Sequence, residues 1–333
     1  MRVCVTGGTG FVGAFLVREL LAKGTTVQVL ARPSPRARQL EAAGAQIVGG
    51  DLDDANAIAQ AVQGADTVYH LAAKVASRGT RAEYFAANVA ATERVLSACA
   101  QHGAGQFVHL SSLAVYGPID EGASIDEDTP FDDRPELRDS YAESKIAADL
   151  LVSSFARRTG LPTLIMRPGI IFGPGRPLPT GILGFSLGKT DIVFGNPGHH
   201  FPLNYLGNLV DAIQTAAACG AGLRQFNVLD DDDLTLGKYH ELRCSVELRK
   251  TRFFSGWPLY LASPFAEALR SLVPMGDTRL SRHQLRRALE DRRYDTRRIR
   301  QQTGWQPRVG LAEALRRSAQ SSTSLPQPGG ALR

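Results

Sequence analysis

The sequence predicts an α/β protein built on a doubly wound parallel sheet. Short apolar segments alternate with longer helical patterns through the first half of the chain, an order that implies right-handed crossovers between parallel strands. A glycine-rich turn follows the first of these segments, within the first 13 residues. The chain has 333 residues, 43% hydrophobic and 21% charged, which is ordinary for a globular protein with a sizeable core.

The elements follow in order. Six short segments rich in β-branched or other apolar residues predict buried strands: residues 2–5, 27–30, 46–48, 67–70, 107–110 and 163–166. Five segments between them have the periodicity of helices: residues 11–23, 36–43, 55–62, 82–101 and 140–158. A helix over residues 206–219 and a strand over 225–229 are expected to join the same sheet.

Two domains and a tail are expected. Residues 1–170, joined again by 206–229, would form a Rossmann nucleotide-binding domain. Residues 171–205 and 230–318 would form a smaller, mostly helical lobe for the substrate. Residues 319–333 are rich in Ser, Pro and Gly, a composition that predicts disorder.

Composition excludes several classes of protein. No apolar run approaches the roughly 20 residues that span a bilayer, and the N-terminus lacks the pattern of a signal peptide. The four cysteines are scattered, with no CxxC and no histidine at metal-ligand spacing. We therefore expect a reduced, cytoplasmic protein without a structural metal.

The net charge of +5 suits an anionic cofactor but does not require nucleic acid. Nine arginines lie between residues 279 and 300, mixed with acidic residues. This mixture favours a solvated helical face over a nucleic-acid site.

The turn after the first strand has the spacing GxxGxxG, formed by Gly7, Gly10 and Gly13. Such a turn needs a left-handed residue, close approach of the backbone to a pyrophosphate and tight packing of helix on sheet. The N–H groups and dipole of the following helix favour phosphate. We expect this segment to bind a dinucleotide through Gly7, Thr9, Gly10, Phe11, Val12 and Gly13.

The segment after the second strand indicates which dinucleotide binds. An acid there would accept hydrogen bonds from the ribose 2′-hydroxyl, whereas a cation would bind a 2′-phosphate. This chain has no acid there, but it has Arg32, Ser34 and Arg36. NADP(H) is therefore favoured over NAD(H). The alternative is that both arginines are simply exposed loop residues.

Tyr141 and Lys145 lie one helical turn apart, on the same face of a predicted helix. A cation there would lower the pKa of the phenol, which could then exchange a proton with a carbonyl oxygen. Ser111 and Ser112 follow a predicted strand, at the edge where open α/β sheets bind ligands. A serine hydroxyl there could hold the same oxygen.

These motifs together resemble the extended short-chain dehydrogenase/reductase superfamily over residues 1–315. The matching segments are residues 6–13, 51–52, 70–73, 88, 111–117, 141–145, 167–175 and 304–307. The resemblance implies that Ser112, rather than Ser111, Tyr141 and Lys145 are catalytic, and that Tyr141 and Lys145 also contact the cofactor. It implies further cofactor contacts by Asp51, Leu52, Leu71, Ala72, Ala73, Asn88 and Pro168. It also implies a homodimer.

Three residues near these motifs have simpler interpretations. His70 ends a buried strand and is expected to be a hydrogen-bonded core residue rather than a catalyst. Asn88 could simply cap or brace a helix, and Tyr116 could simply be a packing residue.

The branch of the superfamily indicates the substrate. Dehydratases of this superfamily place Asp-Glu after the catalytic hydroxyl, where this chain has Leu113 and Ala114. Epimerases commonly have an Asn where this chain has Ile170, and an Arg in the loop here formed by residues 195–202, which contains none. Three features instead resemble the 3β-hydroxysteroid dehydrogenase and dihydroflavonol-reductase-like branch: the RPG turn at residues 167–169, the apolar segment from residue 253 to 273, and the ending from Tyr294 to Pro307.

We therefore expect an oxidoreductase for a ketone or secondary alcohol on a bulky hydrophobic molecule, steroid-like or polyketide-like. The apolar segment could equally be ordinary core, or could make a peripheral membrane contact. A nucleotide-sugar epimerase or 4-ketoreductase is one alternative, and a non-catalytic NADP(H) sensor is another.

Overall fold

The computed structural model describes residues 1–75, 79–120, 122–261 and 282–322. Its strands are β1 (Arg2–Thr6), β2 (Thr26–Ala31), β3 (Gln46–Gly49), β4 (Thr67–His70), β5 (Phe107–Leu110), β6 (Ser124–Ile125), β7 (Thr163–Pro168), β8 (Ile170–Phe172), β9 (Gly184–Leu187), β10 (Thr190–Phe194), β11 (Leu203–Tyr205), β12 (Leu223–Val228), β13 (Lys250–Phe254) and β14 (Arg293–Tyr294).

The helices are α1 (Phe11–Ala22), α2 (Pro35–Ala42), α3 (Ala55–Val62), α4 (Arg81–Phe85), α5 (Ala91–Gln101), α6 (Ser140–Thr159), α7 (Leu206–Ala218) and α8 (Leu236–Glu247). Three further helices cover Arg282–Leu289, Arg297–Thr303 and Leu311–Ser322.

Seven parallel strands form the central sheet, in the order β12-β7-β5-β4-β1-β2-β3. The order reverses direction between β1 and β4, which is the switch point of a doubly wound sheet. The predicted fold class is therefore confirmed, including the return of the chain to this sheet through α7 and β12.

The two faces of the sheet are covered by two apolar layers. One layer contains α1 and α7 together with Ile299 and Trp305 from the C-terminal part of the chain. The other contains α3, α5 and α6. Burial on both faces explains why the strands read as short, almost continuous apolar segments.

The helix predicted over residues 82–101 is interrupted by a π-helical turn at Ala86–Ala90. Thr80 and Glu83 form a capping box at the start of α4. Asn88 lies within the π turn and hydrogen-bonds to the backbone of Lys74, a contact that periodicity cannot predict.

Several strands were not expected. β13, β10 and β9 form a small sheet in that order, β11 pairs with β8, and β14 pairs with β6. The lobe predicted to be mostly helical therefore also contains strands. The prediction missed them because β9 is largely exposed and lacks a regular apolar pattern.

The C-terminal helix continues to Ser322, so the prediction of disorder is wrong for residues 319–322. Residues 323–333 lie outside the described residues, as do residues 262–273 of the apolar segment. No described helix is long and apolar enough to cross a membrane.

The arginine-rich segment contacts carboxylates over its described part. Arg293 pairs with Asp233, Arg298 with Glu127 at 3.2 Å, and Arg300 with Asp232. These pairs attach the segment to Glu127 and to the loop that follows β12.

Candidate active site

The glycine turn leaves no room for side chains at two positions. Gly7 has φ +73°, and a Cβ there would lie 2.5 Å from the backbone nitrogen of Ala72. A Cβ on Gly13 would lie 2.2 Å from the carbonyl oxygen of Gly7. Among the described residues, no side chain caps α1 and its first turn has no acid. The N-terminus of α1 can therefore hold an anion.

The segment after β2 lies beside this turn. The Arg36 Nη1 donates to the carbonyl oxygen of Thr9 at 3.3 Å, which places one predicted cation at the glycine turn. Ser34 caps α2 by accepting from the N–H of Ala37 at 3.1 Å. Arg32 is exposed.

The predicted cofactor contacts after β3 and β4 lie in two loops. Asp51 is exposed and accepts a hydrogen bond from the N–H of Asp53 at 2.9 Å. Leu52 packs against the apolar layer that contains α3. The half-buried segment of Leu71, Ala72 and Ala73 passes directly against Gly7.

Asn88 braces the loop after β4 against α6. Its Oδ1 accepts from the N–H of Lys74 at 2.6 Å, and its Nδ2 donates to the carbonyl oxygen of Lys74 at 3.1 Å and to Ser144 Oγ at 2.9 Å. Ser144 directly precedes Lys145. The bracing interpretation describes what the Asn88 side chain does in this structure.

Ser112, Tyr141 and Lys145 converge at the carboxyl end of β5. Ser112 begins a short 3-10 helix, and its hydroxyl accepts from the N–H of Ala114 at 3.2 Å. It also shares a hydrogen bond with the Tyr141 side chain. The Lys145 Nζ donates to the carbonyl oxygen of Leu110 at 2.7 Å.

Burial controls the titration of this cluster. It lowers the pKa of Lys145 to about 8, while the nearby charge of Asp149 opposes the shift. Burial also raises the pKa of Tyr141, which the hydrogen bond from Ser112 lowers in part. Lowering of the Tyr141 pKa by Lys145 is not found in this structure, where Lys145 hydrogen-bonds to the Leu110 backbone. Tyr141 is thus a protonated phenol near neutral pH.

Asp149 is a buried neighbour of this cluster. It was not among the residues predicted from the sequence. Its two oxygens accept from Ser111 Oγ at 2.7 Å and from the Arg167 Nε and Nη2, each at 2.9 Å. Ser111 is therefore engaged away from Tyr141, whereas Ser112 contacts it. The spacing 141, 145, 149 puts Asp149 on the same helical face and could have identified it. Pro168 follows Arg167 at the buried end of β7.

Two neighbours of the site have structural roles. His70 hydrogen-bonds to Thr6 at 2.7 Å and to Thr92 at 2.9 Å. Burial lowers its pKa to about 3, so it is neutral. The Tyr116 hydroxyl donates to Asn227 at 2.5 Å and accepts from Arg167 at 2.8 Å. Both side chains are therefore engaged within the core.

The assembled site fits a dinucleotide. The uncapped N-terminus of α1 lies beside Arg36, and the carboxyl ends of β1, β4, β5 and β7 are neighbours in the sheet. This edge is where such sheets bind nucleotides. The described residues contain no group of His, Cys, Asp and Glu that could hold a metal ion.

Comparison with known proteins agrees with this geometry. Residues 3–228 match the NAD dependent epimerase/dehydratase family. A 2-alkyl-3-oxoalkanoate reductase of Stenotrophomonas maltophilia is 30% identical over 97% of this chain and 100% of the relative. A 3 beta-hydroxysteroid dehydrogenase/Delta 5-->4-isomerase of Mycobacterium tuberculosis is 36% identical over 65% of this chain and 60% of the relative.

Solved structures share the fold. MoeE5, determined in complex with UDP-glucuronic acid and NAD, superposes with a TM-score of 0.72 over 97% of this chain and 99% of its own. The sequence identity is 24%, so this similarity concerns the fold alone.

Proposed function

Because the chain belongs to the NAD-dependent epimerase/dehydratase family, an extended short-chain dehydrogenase/reductase family, we propose a specific oxidoreductase activity. The protein would interconvert a ketone and a secondary alcohol on a bulky hydrophobic substrate, with NADP(H) as cofactor. The proposal depends on one observation above all. Ser112, Tyr141 and Lys145 meet at the carboxyl end of β5. The neighbouring strand β4 leads into the loop that packs against Gly7.

Tyr141 is the proposed acid and base. Its raised pKa keeps the phenol protonated, so in the direction of reduction it can donate its proton to the carbonyl oxygen. Ser112 would orient the same oxygen through its hydroxyl. Lys145 would bind the nicotinamide ribose and, once its ammonium faces Tyr141, stabilise the phenolate. The bound cofactor would supply or accept the hydride.

Two observations support the substrate class. The site lacks the acid and base of a dehydratase, and two relatives are named for reactions of this kind. The positions after Ser112 are Leu113 and Ala114, which cannot act as the acid and base of a dehydration. The two relatives compared above are named for 3-oxoalkanoates and 3β-hydroxysteroids. The described part of the apolar segment exposes Phe254 and Trp257, which would suit a hydrophobic substrate.

NADP(H) is preferred over NAD(H) in this proposal. Arg36 lies against the glycine turn, and the segment after β2 carries Arg32 without an acid. The other cofactor contacts stay part of the proposal: Asp51 and Leu52 at the adenine, Leu71 to Ala73 along the dinucleotide with Asn88 in support, and Pro168 near the carboxamide.

The organisation of the molecule is also proposed. We assign residues 1–170 and 206–229 to cofactor binding, and 171–205 and 230–318 to the substrate. A cytoplasmic homodimer is proposed by analogy with the family, through helices that include α6, whose Leu150 is exposed. A peripheral membrane contact would involve the segment that begins at Trp257.

The first test follows NADPH and NADH consumption with ketosteroids and β-keto acyl compounds. We expect turnover of at least one hydrophobic class, with NADPH preferred. Tyr141→Phe should lower kcat about 10²–10⁴-fold and leave the Kd for NADPH nearly unchanged, because the lost group is the proton donor.

Binding of nucleoside diphosphate sugars is measured in parallel. Tight sugar-nucleotide binding without hydrophobic turnover would overturn the proposal in favour of an epimerase or 4-ketoreductase. Cofactor binding with no turnover of any ketone would favour the non-catalytic sensor.

A further inference from the structure

A second arginine lies at the phosphate-binding turn, although it comes from a distant part of the chain. The guanidinium carbon of Arg176 is 4.3 Å from the ring centroid of Phe11. Phe11 is the first residue of α1, so Arg176 lies beside the uncapped helix N-terminus. This residue was not among those singled out from the sequence.

A tight turn after β8 presents Arg176 to α1. The N–H of Arg176 donates to the carbonyl oxygen of Gly173 at 3.3 Å, and Gly175 between them has φ +86°. A Cβ on Gly173 would lie 2.8 Å from the Leu206 Cβ and 3.5 Å from the Phe11 ring. The glycines therefore let this turn pack closely against the start of α1.

Arg176 and Arg36 both lie at the start of α1, Arg36 on the Thr9 carbonyl oxygen and Arg176 over the Phe11 ring. Partial burial, together with the charge of Arg36, lowers the pKa of Arg176. Within the part of the chain that the structure describes, neither guanidinium forms an ion pair, and Arg36 hydrogen-bonds to the Thr9 carbonyl oxygen. Two like charges held together at a helix N-terminus form a site for an anion.

We propose that Arg176 and Arg36 together bind a phosphate of the dinucleotide cofactor, with Arg176 closing over it from the loop that leads into the substrate lobe. The inference rests on the proposed function, since it names a further contact of that site. The phosphate is either the 2′-phosphate or the pyrophosphate, and these two make different predictions. Planar guanidinium groups bind either one through paired N–H donors.

The test measures Kd by isothermal titration for NADPH, NADH, 2′,5′-ADP and ADP. The variants are Arg176→Gln and Arg36→Gln, with Arg38→Gln as the control. Arg38 is exposed on α2 and its replacement changes the net charge equally. We expect Arg176→Gln to weaken NADPH binding about tenfold and Arg38→Gln to leave it unchanged. The double variant of Arg176 and Arg36 should lose less than the product of the single effects.

The four ligands separate the outcomes. Weaker binding of NADPH and 2′,5′-ADP alone assigns Arg176 to the 2′-phosphate, whereas equal weakening for NADPH, NADH and ADP assigns it to the pyrophosphate. If the natural chain binds NADPH and Arg176→Gln binds it equally well, the inference is wrong while the proposed function stands. If the natural chain binds neither dinucleotide, both fail.

Discussion

Asp149 is a buried carboxylate that holds together the residues around the proposed site. Its carboxylate is fully buried and accepts from the Nε and Nη2 of Arg167, whose side chain is 1% exposed. The same carboxylate accepts from Ser111, the neighbour of Ser112, and its charge favours the protonated form of Lys145. One acidic side chain therefore connects β5, β7 and α6, the three elements that carry the site.

Asp149→Asn should lower the free energy of unfolding by about 3–5 kcal/mol, because it removes the carboxylate that is paired with the buried Arg167 guanidinium. Urea unfolding followed by circular dichroism measures the change. Asp133→Asn is the matched control, since that carboxylate is 83% exposed, and we expect a change below about 0.5 kcal/mol there. Equal stability of Asp149→Asn and the natural chain would contradict the role of the pair.

At the scale of elements, the start of α6 is aligned with the turn that carries Ser112. Arg138 comes just before the Asp139 cap of α6, and its side chain is 6% exposed. Its Nη1 donates to Asp132 at 2.8 Å and its Nη2 to the carbonyl oxygen of Ala114 at 2.9 Å. Arg138 therefore links the segment after Ser112 to the helix that carries Tyr141.

Arg138→Gln should lower kcat about tenfold to 100-fold, because small displacements of reacting groups are costly, while the Kd for NADPH changes little. Steady-state kinetics and cofactor titration measure the two quantities, and Arg138→Lys should recover part of the rate. Arg134→Gln serves as control, since Arg134 is 60% exposed. If Arg138→Gln leaves kcat unchanged, Arg138 has no positioning role, even where the variant has lost thermal stability.

The elements also show what could be predicted from the sequence. The sheet strands and the spacing of Tyr141 and Lys145 depend on local patterns, so both could be read from the chain. The π turn depends on Asn88 reaching Lys74, and the position of Arg176 depends on packing against Phe11. Such contacts join residues distant in the chain, and no local pattern encodes them.

At the scale of the molecule, the C-terminal part of the chain is built into the main core. Trp305 is 2% exposed in the same apolar layer as α1 and α7, and its Nε1 donates to Asp211 at 3.1 Å. β14 adds a parallel pair with β6. This segment should therefore unfold together with the central sheet rather than as a separate unit.

The two tryptophans of the chain allow a direct test. Trp257 is 58% exposed, so Trp257→Phe should cost little stability and leave Trp305 as the only tryptophan emitter. Because Trp305 is buried, its emission should lie at short wavelength and shift to long wavelength on unfolding. In urea, this fluorescence transition should coincide with the loss of circular dichroism from the sheet and helices.

Trp305→Phe, which reports on Trp257 instead, should show a much smaller shift. A fluorescence midpoint for Trp257→Phe well below the circular dichroism midpoint would mean that the C-terminal segment detaches first, and that the shared core does not make the two parts one cooperative unit.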